Sequence, residues 1–191
     1  MHKPTVETAA LREHILTYAR TRMGYEIPPL DSPKSLNWLL QNAGQTITAE
    51  GLGGMRALGV FADVLAPATL SSDHPGYLSF IPTAPTEAAT LFDLVVSASS
   101  IYGGSWLEGA GAVYAENQVL AWLAGEVGLP ATAGGLFVQG GTLGNLSALV
   151  TARDSARRTR KNAGISLPAR WSFICSSEGH SSLKAAAAVM D

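Results

Sequence analysis

The segment that most constrains this chain is Gly134-Gly-Leu-Phe-Val-Gln-Gly-Gly-Thr-Leu-Gly-Asn-Leu-Ser147. A short apolar run, Leu136 to Val138, passes through glycines into a stretch with helical spacing, Thr142 to Arg160. A second apolar run, Trp171 to Ser176, is followed by another helical stretch, His180 to Val189. Strand, helix, strand, helix in succession predicts an α/β domain on a parallel sheet. Two parallel strands cannot bury both their faces, so the pattern reads as the opening of a larger, here incomplete, domain.

Upstream, the pattern is helical. Thr8 to Met23 places Leu11, Ile15, Leu16 and Ala19 on one face, and Gly24 with Pro28-Pro29 closes it. Ser32-Pro33 supplies a capping hydroxyl and a first-turn proline for a helix carrying Leu36, Trp38, Leu39 and Leu40. A third helix is expected over Thr48 to Leu65, weakened at its start by Gly53 and Gly54. Asp73 to Pro85 is a proline-rich loop, and helices follow at Thr86 to Ser99 and Ala112 to Val127. The expected organisation is an N-terminal helical arm with its loop over residues 1–85, then the first part of the large domain over 86–191.

A formal net charge of -2 offers no electrostatic case for nucleic acid. The one basic cluster, Arg157, Arg158, Arg160 and Lys161, reads as the solvated end of a helix. Cys175 is the single cysteine, set in an apolar run as a buried structural thiol. The absence of a disulfide framework fits a reducing compartment, hence the cytoplasm. No apolar segment of a secretory signal follows Met1. Val127 to Ala152 carries no formal charge, but Pro130 and six glycines interrupt it, so no membrane span is expected. No metal site is expected either.

Chemistry concentrates at two places. Where a strand turns through glycines into a helix, the backbone can approach a ligand closely, and the first helical amides have no internal partners. With the helix dipole behind them, these amides form an anion cradle suited to phosphate. The same residues also serve as a plain strand-to-helix turn. A nucleotide P-loop would need Lys followed by Ser or Thr where Asn145-Leu146 stands, and a dinucleotide fingerprint would need glycine where Gln139 stands. The second place is Ser176-Ser-Glu-Gly-His180, a histidine at the start of a helix just past an expected strand. That edge of an α/β sheet is where ligands bind. An imidazole there can stack on a ring, donate a hydrogen bond or move a proton, or simply cap the helix.

Three motifs in order carry a resemblance. They are His74-Pro-Gly-Tyr-Leu-Ser-Phe-Ile-Pro-Thr83, Gln139-Gly-Gly-Thr-Leu-Gly-Asn145 and Gly179-His-Ser-Ser-Leu-Lys184, with Glu116, Leu120 and Trp122 on the helix between the first two. Together they resemble the group II pyridoxal-phosphate-dependent amino-acid decarboxylases, the family of aromatic-L-amino-acid, glutamate and tyrosine decarboxylases. The resemblance implies a fold type I large domain preceded by a helical arm that packs in a homodimer. It implies pyridoxal 5'-phosphate as cofactor and an L-amino acid as substrate, with the Pro-Thr loop closer to the aromatic branch.

Residue by residue, it implies that His180 stacks on the cofactor and acts near the reacting carbon. Gly141, Thr142 and Leu143 would hold the phosphate, and Phe80, Pro82 and Thr83 would line the substrate end. Lys184 does not match the family's cofactor lysine, and neither that lysine nor the aspartate facing the pyridine nitrogen has a counterpart among these residues. The chain alone is therefore expected to be inactive. A non-catalytic chain acting through a complementary partner, or another fold type I lyase or aminotransferase, are the competing readings; the His-Pro…Pro-Thr segment argues against the latter.

Overall fold

The structure, a computed structural model, describes residues 4–190. The chain forms two compact units, Met1–Ser100 and Ile101–Asp191.

The first unit opens with α1, Val6–Met23. Thr5 and Thr8 form a reciprocal cap: the Thr8 amide donates to Thr5 Oγ1 at 3.1 Å, and the Thr5 amide donates to Thr8 Oγ1 at 2.7 Å. This satisfies two of the amides that every helix start leaves free. Helix α2, Leu36–Asn42, begins later than Ser32-Pro33 suggested. Ser35 is the cap, its Oγ accepting from the Trp38 amide at 3.2 Å, while Ser32 Oγ accepts from Lys34 Nζ instead.

Helix α3, Gly54–Val60, likewise starts late, because Gly53 at φ 72° stands outside helical geometry. Gly54 lies hard against Leu11 of α1, so close that a side chain at 54 would collide with it. Helix α3 runs into a π-helical turn, Phe61–Leu65. There Phe61 meets Tyr18 of α1 edge to face, ring centroids 5.8 Å apart. Helix α4, Glu87–Ala98, is capped by Thr86, whose Oγ1 accepts from the Ala89 amide at 3.1 Å.

An ion pair fixes the loop after the π turn. Arg22 Nη2 donates to Asp73 Oδ1 at 2.8 Å. This bond holds the Asp73 carboxyl below its ordinary value of 3.8 and raises the Arg22 guanidinium. A depressed carboxyl stabilises the fold above its unfolded-state value, and the contribution is lost as pH falls through the folded value. At pH 7, Asp73→Asn should speed hydrogen exchange at the His74 and Tyr77 amides, which bond to Ser71 and His74 carbonyls. The acceleration should be about two-fold, the scale of a partly exposed ion pair, and should vanish under strongly acid conditions. Equal exchange in the two proteins at pH 7 would show the pair to be without consequence.

In the second unit, α5 spans Trp106–Glu126 and bends at Gly109, whose φ of -124° is not helical. The buried Gly109 lies directly against the Tyr102 carbonyl, a position closed to any larger residue. Helices α6, Gly141–Asn162, and α7, Ser181–Met190, pack on each other. Arg153 Nη1 of α6 donates to the Met190 carbonyl at 2.6 Å, satisfying the C-terminal end of α7.

The two expected strands do not form among the described residues. Neither Leu136 to Val138 nor Trp171 to Ser176 is helical, but neither pairs into a ladder, and the described residues contain no strand. The α/β architecture is therefore not what these residues display. A strand exists through hydrogen bonds to a neighbour, and these two segments do not supply each other with one. The Phe137 amide instead donates to Glu116 Oε1 of α5 at 2.8 Å. Cys175 is exposed rather than buried, and Ile174 beside it is 99% exposed. An unpaired segment has no sheet whose face could be covered. No helix among the described residues is long and apolar enough to cross a membrane.

Candidate cofactor site

The start of α6 has the form of an anion cradle. Gly140 stands at φ 87°, the left-handed region glycine enters without strain, and turns the chain into the helix. No side chain caps α6. The Gly144 amide closes the first turn on the Gly140 carbonyl at 3.2 Å, while the amides of Gly141, Thr142 and Leu143 find no acceptor among the described residues. Space is open around the Cα atoms of Gly140 and Gly141. Three free amides at the positive end of a 22-residue helix favour an anion.

His180 immediately precedes α7 and caps it. The Ser182 amide donates to His180 Nδ1 at 3.2 Å. Ser182 Oγ lies 2.8 Å from the same nitrogen. Ser182 is 3% exposed, one of the few buried residues of the chain. Its Oγ accepts in turn from Asn145 Nδ2 at 2.8 Å. Asn145 belongs to the first turns of α6, so a continuous hydrogen-bond chain joins the cradle's helix to the histidine. The two roles weighed for His180 are compatible: Nδ1 caps α7, while the ring remains exposed and Nε2 has no partner among the described residues.

His180 and the turn Gly141 to Leu143 thus belong to one unit and are linked through two side chains. Phe80, Pro82 and Thr83 lie in the loop of the first unit, all exposed, with Phe80 and Ile81 at φ 61° and 50°. A left-handed β-branched residue costs backbone energy, on the order of 1–3 kcal/mol, so this loop holds stored strain. Asn145 and Ser182 were not anticipated as site residues, although both stand inside the quoted motifs. The available signal was the spacing of His180 and Ser182, which suits a cap accepting from the second helical amide.

A cavity of about 300 Å³ between α6 and α7 is lined by Leu149, Ala152, Arg153, Trp171, Phe173 and Met190 among others. Neither His180 nor the cradle borders it, so it belongs to the apolar packing of the unit rather than to the site. Among the described residues no group of three or more potential ligands could hold a metal ion.

A flat aromatic ring carrying a phosphate fits what is present: free amides for the anion, glycines that leave room, and an anchored imidazole with an open face. The family model described as the pyridoxal-dependent decarboxylase conserved domain matches residues 54–191. An aromatic-L-amino-acid decarboxylase of Bacillus atrophaeus is 37% identical over 83 residues, 44% of this chain and 17% of the relative. An L-2,4-diaminobutyrate decarboxylase of Rhizobium meliloti (strain 1021) is 29% identical over 117 residues, 61% of this chain and 22% of the relative. Another of that name from Acinetobacter baumannii is 26% identical over 105 residues, 55% of this chain and 21% of the relative. The matches thus span about a fifth of the length of these curated relatives. No solved structure matches the chain. With the glycine turn before α6 and the histidine that caps α7 both inside the matched region, the chain belongs to the pyridoxal-dependent decarboxylase family, a carboxy-lyase family whose cofactor is pyridoxal 5'-phosphate.

Proposed function

We propose that the protein carrying this chain decarboxylates an L-amino acid, an aromatic one, in a homodimer or with a complementary chain, in the cytoplasm. The observation that carries the reading is the hydrogen-bond chain Asn145–Ser182–His180, which ties the imidazole to the helix whose free amides suit a phosphate. The amides of Gly141, Thr142 and Leu143 would hold the phosphate. His180 would stack on the ring and hold or move a proton at Nε2. By the family resemblance, Phe80, Pro82 and Thr83 would line the substrate end. When bound, the cofactor supplies an electron sink for the carbanion left by loss of carbon dioxide.

The aromatic preference is supported by the motif ending in Pro82-Thr83 and by the 37% identity to a relative named for aromatic L-amino acids. None of Lys3, Lys34, Lys161 and Lys184 stands where the family's cofactor lysine is expected. The 191-residue polypeptide by itself is therefore expected to release no carbon dioxide.

The test is carbon dioxide release by the assembled protein with pyridoxal phosphate. Aromatic L-amino acids should be the better substrates, with L-2,4-diaminobutyrate a poorer one. His180→Ala should lower kcat by about 100-fold, the scale of a lost proton-transfer group. No release from any L-amino acid would refute the function, and a preference for diaminobutyrate would refute the substrate class.

A further inference from the structure

We infer that Ser182, held by Asn145, is a positioning residue that sets the tautomer of His180 and couples its ring to the phosphate-binding turn. The inference deepens the function proposed above and rests on it for the role of His180.

The direction of the hydrogen bonds is decisive. The Ser182 backbone amide can only donate, and it points at His180 Nδ1 from 3.2 Å. Nδ1 must then present its lone pair, which in a neutral imidazole puts the proton on Nε2. Ser182 Oγ is 2.8 Å from Nδ1 and also 2.8 Å from Asn145 Nδ2. The Asn145 amide donates to the hydroxyl oxygen, which leaves the hydroxyl hydrogen free to share the single Nδ1 lone pair with the Ser182 amide. The alternative, an Nδ1–H donating to Ser182 Oγ, would set that hydrogen against the Ser182 amide hydrogen. Every bond in the chain therefore runs one way, from Asn145 through Ser182 to His180, and leaves Nε2–H as the outward donor.

The position of Ser182 favours this role. It is 3% exposed, so water does not compete for its hydroxyl. The Asn145–Ser182 bond spans 37 residues and joins two helices, α6 and α7. Asn145 lies one helical turn beyond Gly141, so a shift of the phosphate-binding turn moves the hydroxyl that orients the ring. Through this link, the turn before α6 and the imidazole are held as one unit rather than separately.

The experiment is nitrogen NMR of the assembled protein labelled at histidine, in the solid state where size is no barrier, at a pH where the ring is neutral. The His180 signals are identified by their loss in His180→Asn. Wild type should show the Nε2–H form. In Ser182→Ala the Nδ1–H fraction should rise about five-fold, the effect of losing one ordinary hydrogen bond while the backbone donor remains. Ser182→Thr, which keeps the hydroxyl, should restore the wild-type ratio. Asn145→Asp should also raise the Nδ1–H fraction, because a carboxylate accepts the serine hydrogen and diverts it from the imidazole.

Should Ser182→Ala fail to fold, Asn145→Asp decides the matter. An Nδ1–H ring in wild type, or an unchanged ratio in both variants, overturns the inference; a change confined to Ser182→Ala overturns the part given to Asn145. The spectra need no cofactor, so failure of the proposed function, read as absence of pyridoxal phosphate binding, is separate from failure of the tautomer relay.

Discussion

The isolated 191-residue polypeptide should self-associate and melt without a cooperative transition. Its accessible surface is 15271 Å², whereas a folded monomer of its 19.9 kDa mass exposes about 8,700 Å². The only buried hydrophobic residue among those described is Ala186, and no large side chain is fully buried. Helix α4 alone leaves Leu91, Phe92, Leu94, Val95 and Val96 exposed. Contiguous apolar surface of this kind drives association with whatever apolar surface it meets. A cooperative heat transition requires many side chains to leave a shared core at once, and side chains already in water have no core to leave. Light scattering should report particles well above 19.9 kDa, with strong binding of a hydrophobic dye. A monodisperse monomer with a sharp calorimetric peak would overturn this expectation and the view that these faces require covering.

Thr142→Asp should weaken pyridoxal phosphate binding by the assembled protein about 100-fold, from roughly 4 kcal/mol of repulsion between charges ~4 Å apart, reduced by salt. The substitution puts a carboxylate beside the amides of Gly141 to Leu143, where it competes for the same donors and repels the phosphate. Gly140→Val should act in the same direction by a different route. At φ 87° a β-branched residue is strained, and relieving the strain turns the amides away from the cradle. Titration by absorbance or fluorescence quenching measures both. Pyridoxal without its phosphate is the control: its weaker binding should be unchanged by Thr142→Asp. An equal loss for both compounds would mean that the substitution damages the ring site or the fold, and the phosphate would have to be placed elsewhere.

Much of the site was legible because its parts are local. A glycine turn followed by helical spacing announces free amides at a helix start wherever it occurs, and Gly140 at φ 87° with α6 behind it realises that pattern. The capping of α1 by Thr5 and of α4 by Thr86, and the place of His180 at the head of α7, likewise depend on residues within a turn or so of each other. Helix starts were less legible wherever two signals competed, as at Ser32 and Ser35, or at the glycines before α3, where backbone freedom works against the apolar pattern.

What the amino-acid order determined by itself is the helical arm, the glycine turn and the histidine that follows, because capping, periodicity and φ preferences act over a few residues. Tertiary structure alone decided the rest. The apolar runs at 136–138 and 171–176 form no ladder, since strand pairing depends on a partner that periodicity cannot provide. Gly54 owes its importance to Leu11, and Asp73 to Arg22, contacts between remote stretches of chain. The imidazole of His180 takes its orientation from Ser182, and Asn145 reaches Ser182 across 37 residues only because α6 and α7 pack together. A hydrogen bond requires two atoms within about 3 Å, and sequence separation carries no such information until the helices are docked.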